Sequence, residues 1–312
     1  LIGGLIGIAF FIYTIGIRVL NPTYIDWLII RGDPATHFLG WNFFRHESWS
    51  FPIGIIKNYG APIGTSISYT DSIPLFAIIF KVFNKLLPSN FQYFGIWILL
   101  CYILQGIFGS LLLIRVTNNR IINIFGTAFF VISPIMLWRA YGHYALMAHW
   151  VLLASIWLIF KKNYLNNFLR NWIILIGIAL LIHPYFCVVV LCLGLSQIIY
   201  LLLLEKSITI KKALFSVASI IFTILIISLF LGLFSVGSNV ATGGFGYYSM
   251  NLSSLINPQG WSSIIKDRPL TFDGQYEGFN YLGIGIILLI IWDIYILLFK
   301  LKKITNKNSL LQ

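Results

Sequence analysis

Few groups in this chain could move a proton, grip a phosphate or hold a metal. There are five histidines, nine acids and 21 lysines and arginines in 312 residues. The densest arrangement is Asp33-Pro34, His37, Trp41 and Phe44. Asp is a favoured N-cap and Pro a favoured first helical residue. A short helix is therefore predicted from Pro34 to about His46, capped by Asp33. Steps of four, four and three put the four residues on one side. A carboxylate and an imidazole one turn apart, beside aromatic rings, can form an acid–base or substrate-holding pair. The structural alternative is a capping Asp33 and a packing His37. Asp71, in Tyr69-Thr70-Asp71-Ser72-Ile73-Pro74, is a second candidate carboxylate. Alternatively, Asp71 or Ser72 caps a helix over 74–87. That helix would carry Lys81, Asn84, Lys85 and Pro88 on one stripe, suited to lying in a membrane interface with its lysines toward headgroups or an anionic ligand.

Further along, Arg139 could pair bidentately with a phosphate or carboxylate, or snorkel to headgroups. His143 and His149 follow. Their spacing of six does not put two ligands on one helical face, so no His-x3-His metal site is read there. His183, in His183-Pro184-Tyr185, fits a structural turn residue as well as a substrate contact. Gly243, Gly244 and Gly246 match neither the P-loop nor the dinucleotide spacing. Arg268, Tyr276 and Glu277, with Asn280, stand ahead of the last apolar run, a position suited to gripping a polar headgroup or sugar. Asp293, within that run, is costly in lipid and should face protein or water.

The elements that must position these residues follow from composition. The chain is 59% hydrophobic and 10% charged, against about 25% charged in an ordinary soluble domain. A soluble globular enzyme and a disordered chain are both excluded. Apolar runs of about 20 residues favour helices over a barrel of short alternating strands. The expected fold is all-α: a polytopic helical membrane protein with about eight transmembrane helices, near 1–20, 92–115, 121–138, 144–160, 171–183, 185–204, 213–236 and 280–300. Short interfacial helices belong to the first outer loop. Ser133-Pro134 should kink the third span, and His183-Pro184 should break 171–204 into a hairpin. Cys101, Cys187 and Cys192 lie in apolar runs and give neither a disulfide framework nor a metal spacing. The chain starts at Leu1 and ends soon after a basic stretch, so trimming at one or both ends is expected. The first apolar run reads as a span rather than a signal peptide.

Orientation follows from the bases. With the N-terminus inside, inner connections hold Arg115, Arg120, Lys161, Lys162, Arg170, Lys206, Lys211, Lys212, Lys300, Lys302, Lys303 and Lys307. Topology thus explains the net charge of +12 better than nucleic acid does, and no nucleic-acid partner is expected. The outer connections are two long loops, 21–91 and 237–279, and turns near Arg139–His143 and His183. Asp26, Asp33, Glu47, Asp71, Asp267, Asp273, Glu277 and all five histidines then fall at or near the outer face. This sorting was not used to set the orientation, and it places a functional site outside.

The order of elements, together with Gly32-Asp33-Pro34, His37-Phe38, Gly40-Trp41, Phe51-Pro52, Tyr69-Thr70-Asp71-Ser72-Ile73-Pro74-Leu75, Leu104-Gln105-Gly106 and Gly278-Phe279-Asn280-Tyr281-Leu282-Gly283, resembles bacterial multi-pass proteins related to the glycosyltransferase-C superfamily. The resemblance covers most of the chain as one transmembrane domain. It implies transfer of a sugar from a polyprenyl-phosphate donor to an extracytoplasmic acceptor, at the outer face of a bacterial inner (plasma) membrane. Asp33 matches the acid that serves there as general base or as an acceptor- or metal-orienting group, with His37 or Asp71 assisting. The paired acids common in the superfamily are replaced here by Gly-Asp, so the catalytic assignment and a divalent metal stay open. Arg139, Arg45, Lys57 and Arg268 are candidates for the phosphate, and His143, His149, His183, Tyr276 and Glu277 for the rest of substrate binding. Rival readings are a lipid flippase or transporter, which would place charges near the bilayer midplane, and a non-catalytic assembly subunit.

Overall fold

The computed structural model describes residues 1–30, 32–161, 165, 167–235 and 246–309, with side chains up to residue 299. Lys162, Gly243 and Gly244 lie outside the described residues, as do the side chains of Lys300, Lys302, Lys303 and Lys307. The chain forms eleven described α-helices: α1 (Ile2–Thr14), α2 (Asp33–His46), α3 (Pro74–Val82), α4 (Phe94–Val116), α5 (Arg120–Val131), α6 (Pro134–Arg139), α7 (Trp150–Phe160), α8 (Phe168–Ile182), α9 (Pro184–Ile199), α10 (Ile210–Leu231) and α11 (Ile284–Ser309). The strands described are the two-residue pair β1 (Ile55–Ile56) and β2 (Thr65–Ser66), joined antiparallel. The protein is a helical membrane protein. Four segments are long and apolar enough to cross a bilayer, namely Phe94–Val116, Arg120–Arg139, Pro184–Leu204 and Ile210–Leu231. Ile2–Thr14, Tyr144–Phe160, Phe168–Ile182 and Ile284–Phe299 are shorter apolar helices. Helix is broken at Ser133-Pro134 and at His183-Pro184, as proline's restriction on the preceding residue requires.

Two compact units are present. One comprises Leu1–Val131 and Arg139–Val240, the other Ile132–Trp138 and Ala241–Gln312. In the first unit α4 packs on α1, α5 and α7, while α8 packs on α9 and α10. Lipid offers no hydrophobic drive between helices, so close backbone approach and cross-helix hydrogen bonds must join them. Gly3 and Gly7 on α1 face α4. A Cβ at Gly3 would collide with the Gly106 carbonyl, and one at Gly7 with the Tyr102 carbonyl. Polar side chains pair across helices: Trp172 donates to Gln197 (2.8 Å), Ser110 to Asn123 (2.9 Å) and Gln105 to the Phe130 carbonyl (3.2 Å).

The 21–91 segment is held to the same unit at several points. Gln92, just after it, donates to the Asn21 carbonyl at its start (2.9 Å), and Ser66 donates to the Leu231 carbonyl (2.7 Å) at the end of α10. Trp41 donates to the Phe91 carbonyl (2.8 Å) within a nest of Phe76, Phe80, Phe91 and Tyr93 rings.

Four sequence expectations differ from the structure. Asp33 is not the cap of α2 but its first residue, because Gly32 takes the cap at φ +73°. Neither Asp71 nor Ser72 caps α3: Ile73 does, at φ +52°, and the helix ends at Val82 rather than 87. The stripe of Lys81, Asn84, Lys85 and Pro88 is split: Lys85 and Pro88 are exposed, but Lys81 and Asn84 are engaged with α2 and its neighbours. Lys81 is 4% exposed, with its ammonium 4.0 Å from the Phe44 ring centroid and 4.5 Å from that of Trp49. Asn84 accepts from Nε of Arg45 (2.7 Å) and donates to the Arg45 carbonyl (2.9 Å), while Arg45 also donates to the Ser89 carbonyl (3.0 Å). Arg45, committed to the 84–89 segment that follows α3, is therefore removed as a phosphate ligand. Amphipathic spacing could not distinguish a headgroup-facing stripe from one covered by α2.

Two tests follow from this packing. Gly7→Val should destabilise the detergent-solubilised protein by about 1–3 kcal/mol through overpacking. Gly142→Ala, with open space around its Cβ, should change little, and equal melting temperatures for the two variants would refute close α1–α4 packing. Burial pushes the Lys81 ammonium down to about 8, partly offset by the Glu47 charge. The unfolded chain then holds more protons than the folded one between about pH 8 and 10.5, so stability rises with pH across that window. Denaturation midpoints of wild type and Lys81→Met should converge as pH increases; a constant gap would show that Lys81 remains solvated.

Candidate functional site

The functional candidates that converge come from α2, the 70–73 turn, the 139–144 segment and the α8–α9 junction, all in the first unit. The turn is fixed before its chemistry is considered. Oγ of Ser72 donates to the His37 carbonyl (2.7 Å) and sits 2.8 Å from Oγ1 of Thr70, and the Tyr93 hydroxyl donates to the Ser72 carbonyl. Gly40, one helical position beyond Leu39, leaves the space that the Thr70 and Ser72 side chains fill. The backbone is left-handed at both Asp71 and Ile73, φ +52° in each. For a β-branched residue that is costly, and such outliers persist only where surrounding contacts over-determine them.

This turn aims Asp71 at two histidines. Its Oδ1 is 3.1 Å from Nε2 of His183, and its Oδ2 is 3.7 Å from Nε2 of His37. Nδ1 of His183 accepts the Tyr185 amide (3.1 Å) at the start of α9. The proton of neutral His183 therefore belongs on Nε2, where it is donated to Asp71. His183 is thus both helix cap and carboxylate partner, and the two readings of its sequence context hold together. Burial alone would raise the Asp71 carboxyl, but the contacts and charges of His183 and His37 outweigh it and hold the group well below the usual carboxylate range.

Asp33 and His143 make the second pair. Oδ2 of Asp33 is 3.3 Å from Nε2 of His143. Trp97 fixes the adjacent residue by donating to the Tyr144 carbonyl (2.7 Å). His37 stands between the pairs, its ring 6.5 Å from that of His143 and edge-on to Tyr144 at 5.5 Å. One potential ligand atom from each of His37, Asp71 and His143 lies within 4.8 Å of the others. Exposure is graded: the Asp33 side chain is 56% exposed, Asp71 28%, His143 20% and His37 2%. The site therefore has an open carboxylate at its mouth and a buried imidazole at its base.

The structure thus brings together Asp33, Asp71, His37, His143 and His183. Arg139 begins the turn that ends at His143, whose amide donates to the Arg139 carbonyl (3.0 Å). His149 is directed elsewhere. It packs edge-on against Phe186 at 6.1 Å, within the electrostatic reach of Arg139. Arg268, Tyr276 and Glu277 belong to the second unit. There the Asn257 side-chain amide donates to the Arg268 carbonyl and accepts from the Arg268 amide (both 2.9 Å), and Tyr276 lies edge-on to Tyr248 at 6.2 Å. Asp293 is exposed on α11, and Lys57 is exposed beside the carboxylate of Glu47, which accepts its amide (3.1 Å). Sequence reasoning missed Thr70, Ser72, Tyr93 and Tyr144, which hold the site without reacting. Thr70, Ser72 and Tyr144 were signalled only by adjacency to Asp71 and His143, and Tyr93 by nothing local.

Asp71 carries a pH signature. Its folded carboxyl titrates below its unfolded value, so the stabilisation is complete above about pH 4 and lost as pH falls below it. Wild type should lose thermal stability on acidification below that pH more steeply than Asp71→Asn. Parallel acid limbs would mean that the two histidines do not hold the carboxylate.

No curated protein and no solved structure matches the chain. A family match does run through nearly the whole sequence, over residues 4–311, and both pairs of the site fall inside it. The chain accordingly belongs to the family described as a domain of unknown function, DUF6311.

Proposed function

We propose that the protein is a membrane glycosyltransferase of the glycosyltransferase-C kind, moving a sugar from a polyprenyl-phosphate donor to an extracytoplasmic acceptor. The observation that carries the reading is the convergence of Asp33 and Asp71 with His37, His143 and His183, from positions 150 residues apart in sequence. The two carboxylates have different surroundings and hence different roles. Asp33, the more open, takes the proton of the acceptor hydroxyl while His143 steadies its charge. Asp71, kept ionised by its histidines, orients the acceptor. The acceptor oxygen bonds to the sugar's anomeric carbon, the bond from that carbon to the phosphate oxygen breaks, and polyprenyl phosphate departs with the electron pair. Arg139, at the start of the His143 turn, is the cation assigned to that phosphate.

Placement supports the same reading. In this reading the four shorter apolar helices bring the crossings to eight in a bacterial inner membrane, with α2 and α3 at the outer interface and the site facing outward. The paired residues of the site lie outside the four long apolar segments, except that His183 adjoins the start of one. Ion-coupled transport would instead need ionisable groups near the bilayer midplane.

The test uses protein in liposomes with polyprenyl-phosphate-linked hexoses, following release of polyprenyl phosphate. Asp33→Asn should lower release by about 10²- to 10⁴-fold, the usual contribution of a general base, at an unchanged melting temperature. Asp293→Asn should retain it. No release by the wild type, or release retained by Asp33→Asn, would end the transferase reading.

A further inference from the structure

We propose that His37, Asp71 and His143 form a binding site for a first-row divalent cation, Zn²⁺ foremost, with His183 and Asp33 as positioning residues. The donor set is two imidazole nitrogens and one carboxylate oxygen. That set suits Zn²⁺ and its transition-metal neighbours and leaves a coordination position open for substrate or water. It does not suit Ca²⁺ or Mg²⁺, which take oxygen ligands.

Three observations support a cation rather than a network of hydrogen bonds. First, the three donor atoms already lie within 4.8 Å of one another. Zn²⁺ bonds of about 2.1 Å in tetrahedral geometry place ligands about 3.4 Å apart, a contraction within reach of side-chain rotation. Second, His37 is buried, yet its Nδ1 has no hydrogen-bond partner among the described residues, and its Nε2 stops 3.7 Å short of Asp71. A buried imidazole in that state is costly unless something else satisfies it. Third, the outer layer has the form that metal sites require. His183 donates to Asp71 on the oxygen turned from His37, and Asp33 lies at Nε2 of His143, which leaves Nδ1 of that ring to ligate. Carboxylates and hydrogen-bond donors so placed fix ligand orientation and tautomer.

The proposal builds on the transferase reading of the same site, but cation binding is measured without transfer, so either can fail alone. Full-length protein carrying no polyhistidine tag is purified in detergent, stripped with chelator and titrated with Zn²⁺, with Co²⁺ as a spectroscopic probe. The expected result is one Zn²⁺ per chain, a raised melting temperature, and two imidazoles counted by X-ray absorption at the Zn edge. His143→Gln, at the more exposed of the two histidine ligands, should abolish stoichiometric binding and the thermal shift while the metal-free protein melts as wild type does. Should His37→Gln fail to fold, His143→Gln and Asp71→Asn decide the matter. His183→Gln should weaken affinity about 10- to 100-fold without changing the imidazole count, and His46→Gln should have no effect. Absence of stoichiometric Zn²⁺ on wild type, or binding unchanged in both His143→Gln and Asp71→Asn, overturns the proposal. Zn²⁺ bound without release of polyprenyl phosphate would uphold the cation site and set aside the transferase. Release without bound Zn²⁺ and insensitive to chelator would do the reverse.

Discussion

A carboxylate partly withdrawn from water must be paired, and at Asp71 the pairing organises this end of the molecule. His183 supplies the partner because its other nitrogen is occupied in capping α9, which settles where the proton sits. The bond therefore ties the 70–73 turn to the α8–α9 junction. If it were absent, Asp71 would carry an uncompensated charge and the left-handed turn would lose one of the contacts that hold it. The Ser72, Thr70 and Tyr93 hydrogen bonds then act together with it, fastening the same turn to α2 and to the start of α4.

The apolar bulk and the polar site use different means to one end. Helices in lipid gain little from burying more apolar surface, so α1 and α4 approach through glycine and the other helices exchange hydrogen bonds across their interfaces. The 21–91 segment has a conventional interior of aromatic rings with a buried lysine over two of them. That rigid platform holds His37 from below while the open carboxylate of Asp33 remains accessible above. A site of this kind joins precise placement to access, which both a proton transfer and a bound cation demand.

Much of the site was legible residue by residue and little of it as an arrangement. Asp33 and His37 were visible because proline after an acid marks a helix start, and the helix followed within one residue of its expected beginning. Asp71 was visible as an acid in a turn. His143 and His183 were legible only as lone histidines at span ends, since a partner more than a hundred residues away leaves no periodic trace. His149, equal to His143 by every local criterion, packs against Phe186 instead. Lys81 shows the opposite error: a lysine that local pattern assigns to headgroups is covered by α2 and Trp49, while Lys85 of the same stripe stays exposed.

The amino-acid sequence by itself determined the solvent and the elements. A chain so apolar and so poorly charged must satisfy its backbone internally in lipid, and only helices do that one segment at a time. Proline and glycine then set where those helices stop. Tertiary structure alone decided which imidazole meets which carboxylate, because those pairings depend on how α2, the 70–73 turn, the His143 turn and the α8–α9 junction are brought together. Hydropathy is a property of neighbours in sequence. A bond of 3.1 Å between residues 71 and 183 is a property of the packed chain.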